Sequence, residues 1–139
     1  DVVSTAGRYL TPRDRRGLPA SVLVFDFLPA HQLGGLIDAS LIHGGEGTVQ
    51  TACASGVPFA GIGMQMEQKL NIEECVDFGN ALAFTMRDIR RHKIPSLVER
   101  LLTDATLRRR ARELAALMQG TDGARRSAEA ILRFLDDRQ

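Results

Sequence analysis

Short apolar runs alternate with amphipathic stretches along the first 84 residues of the chain. A brief apolar run bounded by glycine, proline or polar residues is typical of a buried strand, whereas apolar residues three or four positions apart are typical of a helix. The pattern predicts five strands, within 1–7, 21–25, 39–42, 58–62 and 81–84. It predicts helices over 48–55 and 67–78, and allows a short helix over 32–37. This alternation favours an α/β fold with a parallel sheet and helices on both faces.

The pattern changes after Phe84, where we expect three helices that each have one apolar face. Pro95, at a first helical position, starts the first of them. Asp104 can cap the second helix, and Gly120 ends it. The third helix is expected over 124–135. Its inward-facing residues would be Ala128, Ile131, Leu132 and Leu135.

A glycine turn follows the third predicted strand, with the sequence His43-Gly44-Gly45-Glu46-Gly47-Thr48. A strand, a glycine turn and a helix together point free backbone N–H groups at an anion. Thr48 can cap the helix and donate its hydroxyl to a phosphate oxygen. His43 lies at the carboxyl end of a strand, where open α/β sheets bind ligands. The turn therefore indicates a diphosphate site, although a Gly-Gly-x-Gly turn is also compatible with tight strand-to-helix packing.

A second strand, loop and helix come directly afterwards. The string Gly56-Val57-Pro58 ends the first helix, and the next strand leads to Glu67 and Gln68 at the start of another helix, with Asn71 on its first turn. Successive parallel strands end at the same edge of a sheet. We therefore expect a phosphate-type turn and a carboxylate–amide pair to share one edge.

These strings resemble the C-terminal, nucleotide-sugar donor-binding domain of GT-B fold glycosyltransferases of the UDP-glycosyltransferase and macrolide glycosyltransferase family. The motifs are HGGxGT at 43–48, GVP at 56–58, and EQ at 67–68 with an Asn three positions after the Gln. The resemblance covers about 22–135. It implies a Rossmann-like domain of an inverting, two-domain enzyme that transfers a sugar from a UDP- or dTDP-sugar to a hydroxyl acceptor.

The resemblance also implies a role for each residue that matches a family motif. Diphosphate binding falls to His43 and to the amides of Gly44, Gly45, Gly47 and Thr48, sugar binding to Glu67 and Gln68, and proximity to the base or ribose to Phe27, Leu28 and Thr51. Plant members carry a glutamate where this chain has Thr51, so the choice of nucleotide stays open. No catalytic residue is expected in this chain, because the family's general base belongs to the other domain. The resemblance implies no cofactor and no metal either.

The sheet of that family has one strand more than the pattern predicts here. Its strand order resembles 3-2-1-4-5-6, and the central first strand would precede Asp1. Two strands would then have unpaired N–H and C=O groups. We expect a longer parent protein, and a chain that binds donor but does not transfer sugar efficiently. The alternatives are another enzyme on the same fold, such as a sugar-nucleotide epimerase or a phosphorylase, and a non-catalytic binding or auxiliary module.

Length and charge limit these hypotheses. The 139 residues fit one domain, with a βα core over 1–84 and C-terminal helices over 85–139. The net charge of +1 divides into −4 over the first part (5 basic and 9 acidic residues) and +5 over the second (13 basic and 8 acidic). A nucleic-acid-binding surface would need aromatic residues beside the basic ones, and the second part offers only Phe134. Nucleic-acid binding is therefore not expected.

The two cysteines, Cys53 and Cys75, lie on predicted helices among apolar residues. This favours buried free thiols in a reducing compartment over a disulfide. No Cys/His group has zinc spacing, and no apolar run has membrane-spanning length. We expect a cytoplasmic protein without metal, whose partners are a nucleotide-sugar donor and, through a further domain, a small-molecule acceptor. A homodimer is allowed.

Overall fold

The computed structural model describes residues 1–120 and 122–136, and the chain divides into two compact units, Asp1–Gln32 and Leu33–Gln139. The predicted α/β fold is confirmed, since every strand pair in the described residues is parallel. The strands are β1 (Val2–Ser4), β2 (Val22–Val24), β3 (Ser40–His43), β4 (Phe59–Ile62) and β5 (Ala81–Ala83). The helices are α1 (Pro12–Arg16), α2 (Glu46–Ala54), α3 (Met66–Phe78), α4 (Met86–Arg90), α5 (Ile94–Thr103), α6 (Ala105–Gln119) and α7 (Gly123–Asp136).

The first unit consists of β1, α1 and β2. Strand β1 pairs with β2 in register Val2 to Val22. Helix α1 begins after Thr11, whose side chain accepts from the N–H of Asp14 in a capping box. The short helix predicted over 32–37 is wrong. A 3-10 turn spans Ala30–Gln32 instead, and Gly34-Gly35 prevents a helix, because Gly35 has a φ of 79°.

The second unit contains a parallel sheet in the order β3-β4-β5. In the described residues β1 pairs only with β2, and β3 pairs only with β4. These two strands are the ones that the 3-2-1-4-5-6 order would place beside a central strand. In the described residues the five strands form two sheets, and the order across both sheets stays a prediction.

Strand β4 is buried on both faces. Phe59 and Ala60 are both 0% exposed, and successive side chains of a strand point to opposite faces. Each residue belongs to a separate apolar cluster. The first cluster contains Val49, Ala52, Cys53, Phe59, Cys75 and Ala81, and the second contains Ala60, Leu101 and Leu107. This confirms that helices cover both faces of the three-stranded sheet.

The helix ends after β5 follow local sequence signals. Asp104 accepts from the N–H groups of Thr106 and Leu107 at the start of α6, and Gly120 follows its last residue, as predicted. The prediction did not include α4. Its signal is the capping box of Thr85 and Asp88, in which each side chain bonds the other residue's backbone N–H.

The expectation for α7 was only partly right. A helix is present, but none of its described residues is buried, and the apolar residues predicted to face inward are all exposed, namely Ala128, Ile131, Leu132 and Leu135. Periodicity determines which side chains share one face of a helix. It does not determine what that face packs against.

Candidate functional site

The first part of the candidate site is the turn between β3 and α2. His43 is the last residue of β3, and Gly45 is the N-cap of α2. The prediction that Thr48 caps this helix is wrong. The carbonyl of Gly45 already accepts from the N–H groups of Thr48 and Val49, so the helix starts at Glu46 and Thr48 lies in its first turn.

The imidazole of His43 has a defined orientation. The backbone N–H of Gly45 donates to Nδ1 at 3.1 Å, so a neutral ring carries its proton on Nε2. Nε2 lies 3.5 Å from Oγ1 of Thr48. That separation is too long for a strong hydrogen bond. Because His43 ends β3 and Thr48 lies in the first turn of α2, both side chains can donate to one acceptor group outside the turn.

Some backbone N–H groups at the start of α2 are not used within the helix. The N–H groups of Gly45 and Thr48 have acceptors, which leaves those of Glu46 and Gly47 at positions without an intrahelical acceptor. A Cβ placed on Gly47 would meet nothing within 4 Å, so this side of the turn is open. The carboxylate of Glu46 is exposed and accepts from the side chain of Gln50 at 3.2 Å.

The second part of the site is the turn between β4 and α3. Oε1 of Gln68 accepts from the N–H of Met64 at 2.9 Å and from the N–H of Gln65 at 3.3 Å. The oxygen of this side chain therefore caps its own helix, and its NH₂ group has no role in that cap. Glu67 lies beside it in the first turn of α3 and is exposed.

Asn71 connects the two turns. Its Nδ2 donates to the carbonyl of Gly44 at 3.0 Å and lies 3.4 Å from Oε1 of Glu67. Gly44 is buried, and a Cβ there would lie 2.2 Å from the carbonyl oxygen of Gln68 and 2.7 Å from Cδ1 of Ile72. Asn71 belongs to the motif at 67–71, which predicted no role for it. Its signal was the i, i+4 spacing from Glu67.

The three residues expected near the base or ribose are in different places. The hydroxyl of Thr51 donates to the carbonyl of Gly47 at 2.8 Å, within α2. Phe27 and Leu28 follow β2 in the first unit, where Phe27 is exposed and Leu28 is half-buried. The structure thus brings His43, Thr48, Glu67 and Gln68 into one connected pair of turns. Phe27 and Leu28 belong to the other compact unit.

The described residues outside the two turns set further limits. Within 1–120 and 122–136, no three His, Cys, Asp or Glu side chains are grouped so that they could hold a metal ion. No helix in the same residues is both long and apolar enough to cross a membrane.

In this parallel α/β unit, the start of α2 after β3 is open. Such an open helix start after a parallel strand is typical of phosphate-binding proteins. Residues 7–137 match the family described as erythromycin biosynthesis protein CIII-like, C-terminal domain. The chain belongs to this family. The resemblance stated from the motifs is therefore confirmed at the level of the family.

Curated and solved relatives agree with this assignment. A PGL/p-HBAD biosynthesis glycosyltransferase of Mycobacterium tuberculosis is 31% identical over 114 residues, which cover 82% of this chain and 26% of that protein. The calicheamicin glycosyltransferase CalG4 has a TM-score of 0.84 and 27% identity, over 98% of this chain and 36% of that one. The glycosyltransferase VinC, solved in complex with dTDP, has a TM-score of 0.73 and 25% identity, over 84% of this chain and 29% of its own.

The fold is therefore that of the C-terminal half of GT-B glycosyltransferases. The chain spans between about a quarter and a third of the length of these relatives.

Proposed function

We propose that this chain is the donor-binding half of an inverting glycosyltransferase and that it holds the diphosphate of a UDP- or dTDP-sugar at the β3–α2 turn. The observation that carries the proposal is the hydrogen bond from Gly45 N–H to Nδ1 of His43. It places a proton on Nε2 at the open start of a helix. Diphosphate oxygens are acceptors, and this turn offers them Nε2–H, the hydroxyl of Thr48 and unpaired amides.

The sugar would lie against the first turn of α3. Gln68 uses its oxygen as a helix cap, so its NH₂ group is the part that can donate to a sugar hydroxyl. The carboxylate of Glu67 can accept from another hydroxyl. Because Asn71 joins both turns through Gly44, the sugar and diphosphate positions would keep a constant separation. A donor and an acceptor side by side suit a polyol, whose hydroxyls do both.

The ribose of the nucleoside would lie near Thr51, and the expected proximity of Phe27 and Leu28 to the base stays a prediction. The single proton of the Thr51 hydroxyl is used within α2, so this residue offers a ribose only its lone pairs. The relative VinC was solved with dTDP, which supports a nucleoside diphosphate as the ligand class. Between uridine and thymidine the proposal makes no choice.

In the transition state, negative charge would collect on the leaving diphosphate while an acceptor hydroxyl attacks the anomeric carbon from the opposite face. The fixed donors of the β3–α2 turn and the positive end of α2 are placed to stabilise that charge. This stabilisation needs no metal. A general base must take the acceptor proton, and we assign it, with the acceptor site, to another domain of a longer parent protein.

The test is calorimetric titration of the folded chain with UDP, dTDP and GDP, after circular dichroism has verified the fold. We expect micromolar binding of UDP or dTDP. His43→Ala should weaken that binding by about tenfold, roughly 1.4 kcal/mol, because it removes the Nε2 donor. The control is His92→Asn, at an exposed residue with a φ of 53°, where asparagine is tolerated. Its affinity should equal that of the unchanged chain.

Two results would contradict the proposal. A folded chain that binds none of the three nucleotides is not a donor site. Equal losses in His43→Ala and His92→Asn would mean that binding lies elsewhere.

A further inference from the structure

Two thiols are in contact in the apolar cluster between the sheet and helices α2, α3 and α6. Cys53 is in the last turn of α2 and Cys75 in the last turn of α3, and they are 6% and 8% exposed. Their Sγ atoms are 3.7 Å apart. This distance leaves no room for another group between the sulfurs. Both are free thiols, as their apolar sequence neighbours predicted.

A buried amide is directed at one of the two sulfurs. Asn80 is 0% exposed, and its Nδ2 lies 3.7 Å from Sγ of Cys53. Its Oδ1 has no hydrogen-bond partner among the described residues. An unsatisfied buried polar atom costs free energy, and an apolar residue would fill a purely structural position without that cost. The amide is therefore better explained by its interaction with the sulfur of Cys53.

The surroundings make the two thiols unequal. The hydrogen bond from the Cys75 thiol, together with that from Asn80, lowers the pKa of Cys53 to about 7 in spite of its burial. The same hydrogen bond, together with burial, raises the pKa of Cys75. A thiolate is the reactive form of cysteine. Because the amide of Asn80 lies against the sulfur of Cys53, we assign Cys53 as the attacking thiol and Cys75 as the resolving thiol.

We propose that Cys53 and Cys75 are a redox-reactive pair, which a hydroperoxide oxidises to a disulfide that joins α2 to α3. The Cys53 thiolate attacks one peroxide oxygen, the O–O bond breaks, and a sulfenic acid and hydroxide form. The sulfur of Cys75 then attacks Sγ of Cys53, the S–S bond forms, the S–O bond breaks, and water leaves with the thiol proton. Overall, two thiols lose two electrons and two protons, and one hydrogen peroxide becomes two water molecules.

The step requires the two sulfurs to move closer. The sulfurs must approach from 3.7 Å to about 2.05 Å. Cys53 and Cys75 lie on the two helices whose first turns form the candidate site, so a crosslink would tie those helices together at their far ends. Any effect of the crosslink on nucleotide affinity rests on the proposed function. Formation of the crosslink does not.

The experiment treats the folded chain with hydrogen peroxide, unfolds it in urea, blocks the remaining thiols with iodoacetamide, and measures the intact mass. We expect a monomer that has lost two hydrogen atoms, takes up no iodoacetamide, and recovers both thiols after dithiothreitol. The chain has 2 cysteines, so the pairing within a monomer is unambiguous.

Two matched variants test the assigned roles. Cys75→Ser should stop at a sulfenic acid on Cys53, which dimedone traps. In Cys53→Ser, the reaction of Cys75 with peroxide should be slower by about tenfold or more, since that thiol remains protonated.

The proposal fails if the folded chain keeps two alkylatable thiols after a peroxide treatment that oxidises the urea-unfolded chain. It also fails if the product is a disulfide-linked dimer, or if both serine variants react at the same rate. Circular dichroism before treatment verifies that each variant is folded.

Discussion

Two strand-to-helix turns occupy the same position in the fold and treat their helix starts differently. At the β4–α3 turn, the side chain of Gln68 accepts from the backbone N–H groups of Met64 and Gln65. At the β3–α2 turn, the N-cap is Gly45, which has no side chain, and no side chain caps the helix. The protein thus completes one helix start with the side-chain amide of Gln68 and leaves the other without a side-chain cap.

The difference teaches that an open helix start is recognised by its missing cap and not by its number of glycines. Only one of the three glycines in the β3–α2 turn faces open space. A Cβ on Gly44 would strike α3, and a Cβ on Gly45 would lie 2.8 Å from Cε1 of His43, whereas Gly47 is unobstructed. Two of these glycines, Gly44 and Gly45, therefore allow close packing, whereas Gly47 borders open space.

The strongest test of that division compares Gly44→Ala with Gly47→Ala. The Cβ of the first variant would lie 2.2 Å from a backbone oxygen of α3, so we expect a loss of about 1–3 kcal/mol in the free energy of unfolding. The second should leave stability unchanged or raise it slightly, because alanine favours a helix. Urea unfolding measures both. If Gly44→Ala unfolds at the same urea concentration as the unchanged chain, Gly44 is not held by packing.

The cap at the other turn is tested by Gln68→Ala against Gln68→Glu. Alanine leaves two N–H groups uncapped and should cost about 1 kcal/mol of stability. Glutamate keeps the accepting oxygen and suits the start of a helix, so its stability should match that of the unchanged chain.

Both Gln68 variants lose the NH₂ donor. Each should therefore reduce the affinity for a nucleotide sugar relative to the bare nucleotide, by calorimetry. A Gln68→Glu variant that binds both ligands unchanged would show that Gln68 only caps α3.

The smallest effect is expected from Glu46→Gln in the first turn of α2. The substitution removes a negative charge beside the proposed diphosphate, so nucleotide affinity should rise by about threefold, roughly 0.6 kcal/mol. The gain should shrink at high salt, since Glu46 is exposed and its repulsion is screened. Titration at low and high salt measures this. A loss of affinity would instead mean that the carboxylate takes part in binding.

Much of the fold followed from local patterns. The apolar runs located the strands of both sheets, and the acidic cap at Asp104 and the stop at Gly120 were correct because caps act within one helical turn. The burial of Cys53 and Cys75 followed from their apolar neighbours. The chain's membership of the glycosyltransferase family followed from the strings at 43–48 and 67–71.

What local patterns missed were contacts between distant parts of the chain. The link from Asn71 to Gly44 joins residues 27 positions apart, and the contact of Cys53 with Cys75 joins residues 22 positions apart. The first residue of α2 was predicted two positions too late, at Thr48 and not Glu46, and the N-cap is Gly45. A threonine at a helix start is a common cap, and only the observed hydrogen bonds show that the helix begins earlier.

The sequence by itself determined most of the element types and the glycine turn, because these depend on side chains within a few positions of one another. Only the tertiary structure decided which glycine is open, which way the His43 ring is held, and that the apolar face of α7 is not covered by the described residues. Those outcomes depend on which elements meet in space. A periodic pattern predicts the type of one element and its apolar face. It does not predict which other element packs against that face.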